Sequence, residues 1–206
     1  MTWWIHTRRT TLLTLVTVGF WAAAFALGNS RLPLPQLGGA TSADVPFILF
    51  APLAPAIALN ACYGTPTPVE RTALRRVAAL DSLLAVAVVA ASAAVATPVM
   101  AGWISGPDAF AAESAVRNLA FYTGLALIGR AALGNHASTV IPTLLALVVS
   151  VFGYGPEQTA HWWAWPAALP SDPFSWAGSA VLLSIGLYLT ARGDFPRRWA
   201  TLADGS

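Results

Sequence analysis

The chain has 206 residues, of which 56% are hydrophobic and only 10% are charged, against about a quarter charged in an ordinary soluble domain. Its eleven basic residues are all arginines and its net charge is +2, which excludes a lysine-dependent P-loop ATPase and gives nucleic acid no basic stripe to bind. The composition predicts an integral membrane protein whose outside faces lipid.

Six apolar stretches are long enough to cross a bilayer, whose hydrocarbon core of about 30 Å takes about 20 helical residues. They run over 11–28, 45–62, 80–101, 115–134, 138–155 and 174–191. The first follows Arg8 and Arg9, as a cleaved signal peptide would, but the five later stretches favour its retention. The pattern predicts an all-α polytopic membrane protein with one transmembrane domain and six transmembrane helices.

Arginine positions predict the orientation, because cytoplasmic loops retain positive charge. With the N-terminus inside, only Arg31 and Arg117 lie on the outer side. The inner side then holds the other nine: Arg8, Arg9, Arg71, Arg75, Arg76, Arg130, Arg192, Arg197 and Arg198. We therefore expect a multi-pass protein of the cell membrane with both termini in the cytoplasm.

Two connecting segments carry more pattern than a plain loop. Residues 64–80 place Val69, Leu74, Val77 and Leu80 at helical spacing opposite charged residues, which predicts a short cytoplasmic amphipathic helix between spans two and three. Residues 155–176 are too polar and proline-rich to span, yet too aromatic for a solvated loop. They predict a re-entrant outer segment between spans five and six.

Pro52 and Pro55 fall near the centre of the second predicted span. A proline inside a helix removes a backbone donor and bends the helix, so these two residues are candidate hinge positions. Proline is also tolerated in membrane helices without any role in motion, because neighbouring groups satisfy the freed carbonyls.

No catalytic or metal-binding motif is visible in the sequence. The three histidines, His6, His136 and His161, lie in loops or at interfaces, without HExxH spacing. The remaining polar residues lie near the membrane edges, where long side chains reach water: Asn60, Asp81, Glu113, Arg117, Asn118 and Arg130. Glu113 and Arg117 are four residues apart and are expected to pair on one helix face.

The predicted architecture resembles the permease subunit of type-two ABC exporters. The stretches GTPTPVERTALRRVAAL, RNLAFYTGLALIGRAALGNHASTVIPTLLALV and HWWAWP are similar to the short permeases of actinobacterial antibiotic-export or self-resistance systems. The resemblance covers nearly the whole chain. In one respect the chain departs from it, because only about ten residues precede the first span, where the family often has a longer amphipathic helix.

The resemblance implies a pair of permeases, two copies of this chain or this chain and a paralogue, with ABC ATPase subunits in trans that bind ATP and Mg. It places the ATPase contact on the cytoplasmic helix, at Glu70, Arg71, Arg75 and Arg76. It also implies an outer gate formed by Trp162, Trp163, Trp165 and Pro166. No cofactor is expected in the chain itself.

Three other functions fit the same pattern. A substrate-binding subunit of a vitamin uptake transporter also has about this length and six spans. A membrane enzyme acting on lipid or quinone would use Arg117 or His161 near the outer surface. An immunity protein would sequester a toxic peptide without any ATPase partner.

Overall fold

The computed structural model describes residues 9–34, 43–63, 74–103, 109–155 and 159–192. These residues form six α-helices: α1 (Thr10–Leu27), α2 (Leu53–Tyr63), α3 (Leu74–Met100), α4 (Ala109–Leu133), α5 (Ala137–Phe152) and α6 (Pro173–Arg192). Strands β1 (Arg31–Leu34) and β2 (Ala43–Pro46) form an antiparallel hairpin between α1 and α2, in which Arg31 lies opposite Pro46. The protein is mostly helical, as predicted, although the hairpin departs from an all-α fold.

Helix α4 lies at the centre of the bundle. It packs most extensively against α6 and also contacts α5, α3 and α2. Sixteen of its 25 residues are buried, including the polar residues Ser114, Arg117, Asn118 and Thr123. Because the other helices cover α4, its polar side chains face protein rather than the surroundings.

The outer surface of the bundle is apolar. Large hydrophobic side chains such as Leu15 on α1, Leu83 on α3, Leu147 on α5 and Val181 on α6 are exposed. Among the described residues, α1, α6 and residues 77–100 of α3 are long and apolar enough to cross a membrane, and less than a third of each apolar stretch is buried inside the protein (22%, 17% and 28%). An apolar exterior around a polar centre is the arrangement expected when the solvent is lipid.

The second predicted span is not a continuous helix. Residues 45–52 form the end of β2, a 3₁₀ turn at Phe47–Leu49 and a turn, and α2 begins only at Leu53. Pro52 precedes the helix and Pro55 lies in its first turn, where a missing N–H removes no helical hydrogen bond. The prediction that these prolines lie near the middle of a spanning helix is therefore wrong, while motion at this point stays a prediction.

The predicted amphipathic helix at 64–80 is only partly within the described residues. Residues 64–73, with Glu70 and Arg71, lie outside them. From Leu74 the backbone is helical without a break to Met100, so 74–80 is the start of α3 rather than the end of a separate helix. The sequence between Leu74 and Thr97 contains no proline or glycine that would interrupt the helix.

Residues 159–172, here called the outer segment, contain no α-helix. They include a bridge between Ala160 and Tyr154 and a 3₁₀ turn at Trp165–Ala167. The segment ends where Asp172 caps α6, accepting hydrogen bonds from the backbone N–H groups of Phe174 (3.2 Å) and Ser175 (3.1 Å). Prolines 166 and 170 remove backbone donors and favour this irregular path.

Candidate functional site

Arg117, in the third turn of α4, is completely buried. Its Nε donates to Asn118 Oδ1 at 3.2 Å. Its Nη1 donates to the Leu169 carbonyl at 2.9 Å and to Ser175 Oγ at 3.2 Å. Its Nη2 donates to Asn118 Oδ1 at 3.2 Å and to the Pro166 carbonyl at 3.1 Å. These five hydrogen bonds match the five N–H donors of a guanidinium group, so none is left for a ligand.

The acceptors come from three parts of the fold. Pro166 and Leu169 belong to the outer segment, Ser175 to the first turn of α6, and Asn118 to α4 itself. Asn118 adds a further link, because its Nδ2 donates to the Pro166 carbonyl at 3.0 Å. We call these five residues the arginine clamp. They hold the outer segment across the ends of α4 and α6.

The clamp corrects two predictions about Arg117. The side chain does not reach water at a membrane edge, and its hydrogen bonds go to the outer segment and α6 rather than to Glu113. Glu113 and Asp172 act on the guanidinium through their charge. Removing an ion from water costs several kcal/mol even after relaxation, and a full set of hydrogen bonds is what offsets that cost.

The four residues predicted as an outer gate occupy different surroundings. Pro166 is buried and its carbonyl is part of the clamp. Trp165 packs edge-on against Phe121 of α4 at 6.2 Å between ring centroids, and its ring lies so close to Gly178 that a Cβ there would be 2.5 Å from it. Trp163 is half-buried and stacks on His161, while Trp162 is 86% exposed. Only Trp165 and Pro166 therefore lie at the clamp.

A second polar cluster ties the other ends of α2, α3 and α4 together. Arg130 Nη1 donates to the Asn60 carbonyl at 3.3 Å, and the guanidinium lies 4.8 Å from the centroid of the Tyr63 ring. The Tyr63 hydroxyl donates to the Asp81 carbonyl at 2.9 Å. We call these four residues the inner cluster. It adjoins the predicted ATPase contact, since α2 ends at Tyr63 and Arg75 and Arg76 lie in the first turn of α3.

Among the described residues, no three His, Cys, Asp or Glu side chains lie close enough together to hold a metal ion. The clamp itself was missed by sequence reasoning, although one signal was present. Arg117 and Asn118 lie within the predicted span 115–134, where ionisable residues are costly and therefore need partners. The arrangement holds the outer segment against α4 and α6 through hydrogen bonds from one side chain.

Comparison with known proteins gives no relative to guide the assignment. No family model, no curated protein and no solved structure matches this chain.

Proposed function

We propose that this chain is the transmembrane subunit of an ATP-driven exporter, with ATP hydrolysis supplied by separate subunits in trans. It works in the cell membrane beside a second permease chain and moves a peptide, antibiotic or other amphiphilic substrate. The observation that carries the proposal is the arginine clamp, which closes one end of the bundle with hydrogen bonds centred on its core helix. Such a closure can open and reform without unfolding a helix.

In this proposal all six helices lie in the bilayer, with both termini inside and the hairpin and outer segment outside. Helix α4 is more polar than a lipid-facing helix, and its burial supports a place at the centre of a membrane bundle. Helix α2 is about 17 Å long at 1.5 Å per residue, too short to cross alone. The 3₁₀ turn before it contains buried Ile48 and Leu49, and irregular backbone is tolerated at membrane depth where protein covers it.

Helix α4 gives the proposal a mechanical path. It carries Arg130 of the inner cluster and Arg117 of the clamp, 13 residues or about 20 Å apart along one helix. A push on residues 64–80 from an ATPase would reach α4 through Tyr63, Asp81 and Arg130. We propose that the resulting shift of α4 against α6 breaks the clamp and lifts the outer segment.

The proposed topology predicts opposite labelling of two exposed positions. Trp103, just after α3, is 81% exposed, and Asn135, in the turn between α4 and α5, is also exposed. On intact cells, a membrane-impermeant maleimide should label Trp103→Cys but not Asn135→Cys, and cell lysis should make the second reactive. The wild-type chain is the blank, because its single cysteine, Cys62, is buried. Labelling of Asn135→Cys on intact cells would rule this topology out.

The proposed ATPase contact predicts loss of transport when its charge is reversed. Arg75→Glu with Arg76→Glu should abolish ATP-dependent efflux, because both side chains are proposed to meet a partner surface, while the amount of inserted protein stays unchanged. The matched control is Arg192→Glu at the end of α6, where the guanidinium stacks on Tyr188 at 4.5 Å. Efflux should persist in that control.

Co-purification separates ATP-driven export from the alternatives that need no ATPase. Co-purification from the native membrane should yield an ATPase of nucleotide-binding-domain size with the wild-type chain, and less of it with the doubly reversed variant. Undiminished efflux in that variant, or protection that persists in a strain without candidate ATPase partners, would contradict the proposed function.

A further inference from the structure

A groove of about 590 Å³ runs between α1 and α3 on the exterior of the bundle. Helix α1 packs against α2, and α3 packs against α4 and α6, whereas α1 and α3 make almost no direct contact with each other in the described part of the chain. The groove occupies the gap between them. Its lining extends from Thr10 to Ala22 on α1 and from Leu84 to Val95 on α3.

The lining of the groove is apolar. Leu13 and Val88 are buried at its base, and none of the described residues that line it is charged. The hydroxyls of two lining threonines are used within α1, because Thr14 Oγ1 donates to the Thr10 carbonyl at 3.0 Å and Thr17 Oγ1 donates to the Leu13 carbonyl at 2.8 Å. The groove therefore suits a hydrocarbon chain rather than a polar ligand.

The dimensions of the groove match one lipid chain. Thr10 and Ala22 are twelve residues apart, or about 18 Å at 1.5 Å per helical residue. The acyl chains of one leaflet cover about 15 Å, half of a hydrocarbon core of about 30 Å. Spread over about 18 Å, a volume of about 590 Å³ gives a mean width of about 6 Å. A helix with its side chains is about 10–12 Å across and is too wide to enter, whereas a single acyl chain fits.

Arg9 places a cation at one end of the groove. It occupies the N-cap position of α1, immediately before Thr10 where the lining begins, and its side chain is exposed. In the proposed topology this end lies at the cytoplasmic surface, where the leaflet contains anionic lipids that attract arginine. The apolar groove and the adjoining cation together fit an amphiphile with an acidic head group and an apolar tail.

We propose that the groove holds one acyl chain of an anionic phospholipid of the inner leaflet, with its phosphate at Arg9. The proposal rests on the proposed topology, which sets the leaflet, and not on transport. The hydrophobic effect does not retain the chain, because the surrounding lipid tails are equally apolar. Retention comes from close contact with both walls along the chain and from the charge-assisted pairing of phosphate with guanidinium. The lipid supplies the packing that α1 and α3 do not give each other.

The test is native mass spectrometry of the full chain released from a mild detergent. The probe is palmitoyl-oleoyl phosphatidylglycerol, and the phosphatidylcholine with the same acyl chains is its zwitterionic control. We expect one phosphatidylglycerol to bind each chain about fivefold more tightly than phosphatidylcholine, because only its head group carries a net negative charge. Arg9→Gln should remove most of that preference, whereas Arg192→Gln, at the exposed end of α6, should leave it unchanged.

Filling the groove distinguishes a bound chain from the lipid that surrounds any membrane protein. Ala91 lines the groove, whereas its neighbour Ala90 is also exposed on α3 but does not line it. Ala91→Phe should weaken the binding of both phospholipids at least about tenfold, because the added ring takes the place of the acyl chain. Ala90→Phe should change neither. Thr14→Phe fills the groove from α1 and should reproduce the loss, so the test does not depend on the folding of one variant.

Equal lipid binding by the Ala91→Phe and Ala90→Phe variants, or equal binding of the two phospholipids by the wild-type chain, would overturn the proposal. So would a dimer that Ala91→Phe dissociates while lipid binding persists, because a second copy of the chain would then occupy the groove. No ATPase takes part in this assay. Its failure therefore leaves the proposed exporter function to be judged by the efflux and co-purification experiments.

Discussion

Replacement of Arg117 by alanine is expected to destabilise the protein by about 2–5 kcal/mol. The variant removes all five hydrogen bonds of the guanidinium. Asn118 Oδ1 then loses its donor, whereas the Pro166 carbonyl keeps Asn118 Nδ2 and the Leu169 carbonyl keeps the Asp172 N–H. One unsatisfied acceptor costs about 1–3 kcal/mol, and the space left by the long side chain adds to that cost. Unfolding in mixed detergent micelles measures the difference.

A local measurement distinguishes release of the outer segment from general loss of stability. Ala164, within that segment, is fully buried, while the neighbouring Trp162 is exposed. A maleimide added outside the cell should label Trp162→Cys in every background, but Ala164→Cys only when Arg117 is also replaced by alanine. Equal protection of Ala164→Cys with and without Arg117 would show that the clamp does not hold the segment.

Two further variants separate charge from geometry. Arg117→Lys keeps the positive charge but has three donors and no planar fork, so we expect a stability between those of the alanine variant and the wild type. Arg192→Ala removes an exposed arginine at the opposite end of α6 and should change the free energy of unfolding by no more than about 0.5 kcal/mol. An Arg192 variant as unstable as the Arg117 variant would contradict the assignment of the effect to the clamp.

Hydropathy was enough to locate three helices that could cross a membrane. Predicted spans 11–28, 80–101 and 174–191 correspond to α1, α3 and α6, which are long and apolar enough to cross a membrane. A spanning helix needs about 20 predominantly apolar residues, so composition and length alone identify such candidates. The prediction of the second span was wrong because hydropathy carries no information about backbone geometry. This apolar stretch contains Pro46, Pro52 and Pro55, and it forms an irregular segment followed by a short helix.

The arginine clamp could not be predicted from the sequence, for a different reason. Local spacing suggested Glu113 as the partner of Arg117, because residues four apart share a helix face. The acceptors in the structure include backbone carbonyls 49 and 52 residues further along the chain. A carbonyl is present at every residue and carries no sequence signature. The one sequence signal for the site was an arginine within a predicted span, because a buried cation is costly unless hydrogen bonds stabilise it.

The contact between α4 and α6 leads to the second large effect. Gly124 of α4 lies so close to α6 that a Cβ would be 2.5 Å from the carbonyl carbon of Leu182 and from the backbone nitrogen of Leu183. Gly186 faces it, and a Cβ there would be 2.8 Å from the Gly124 carbonyl oxygen. Backbone atoms cannot rotate aside as side chains do. A larger residue at either position must therefore push the two helices apart.

Gly124→Ala is expected to cost about 1–3 kcal/mol, and Gly124→Val more, because a well-packed interior does not absorb added volume. The matched control is Gly19→Ala on α1, where nothing lies within 4 Å of the added Cβ. That variant should be neutral or more stable by up to about 1 kcal/mol, since alanine favours a helix over glycine. Unfolding midpoints of the two alanine variants, measured side by side, give the comparison.

The Gly124 variants also test the link between the helix contact and the clamp. Ser175, which accepts a hydrogen bond from Arg117, lies two turns before Leu182 on α6, so displacement of α6 should weaken the closure of the outer segment. Labelling of Ala164→Cys from outside should then rise in the Gly124→Ala background and stay low in the Gly19→Ala background. If Gly124→Ala proved as stable as Gly19→Ala and left Ala164→Cys protected, α4 and α6 could not be packed as closely as described. The path proposed from the inner cluster to the outer segment would then lose its connecting contact.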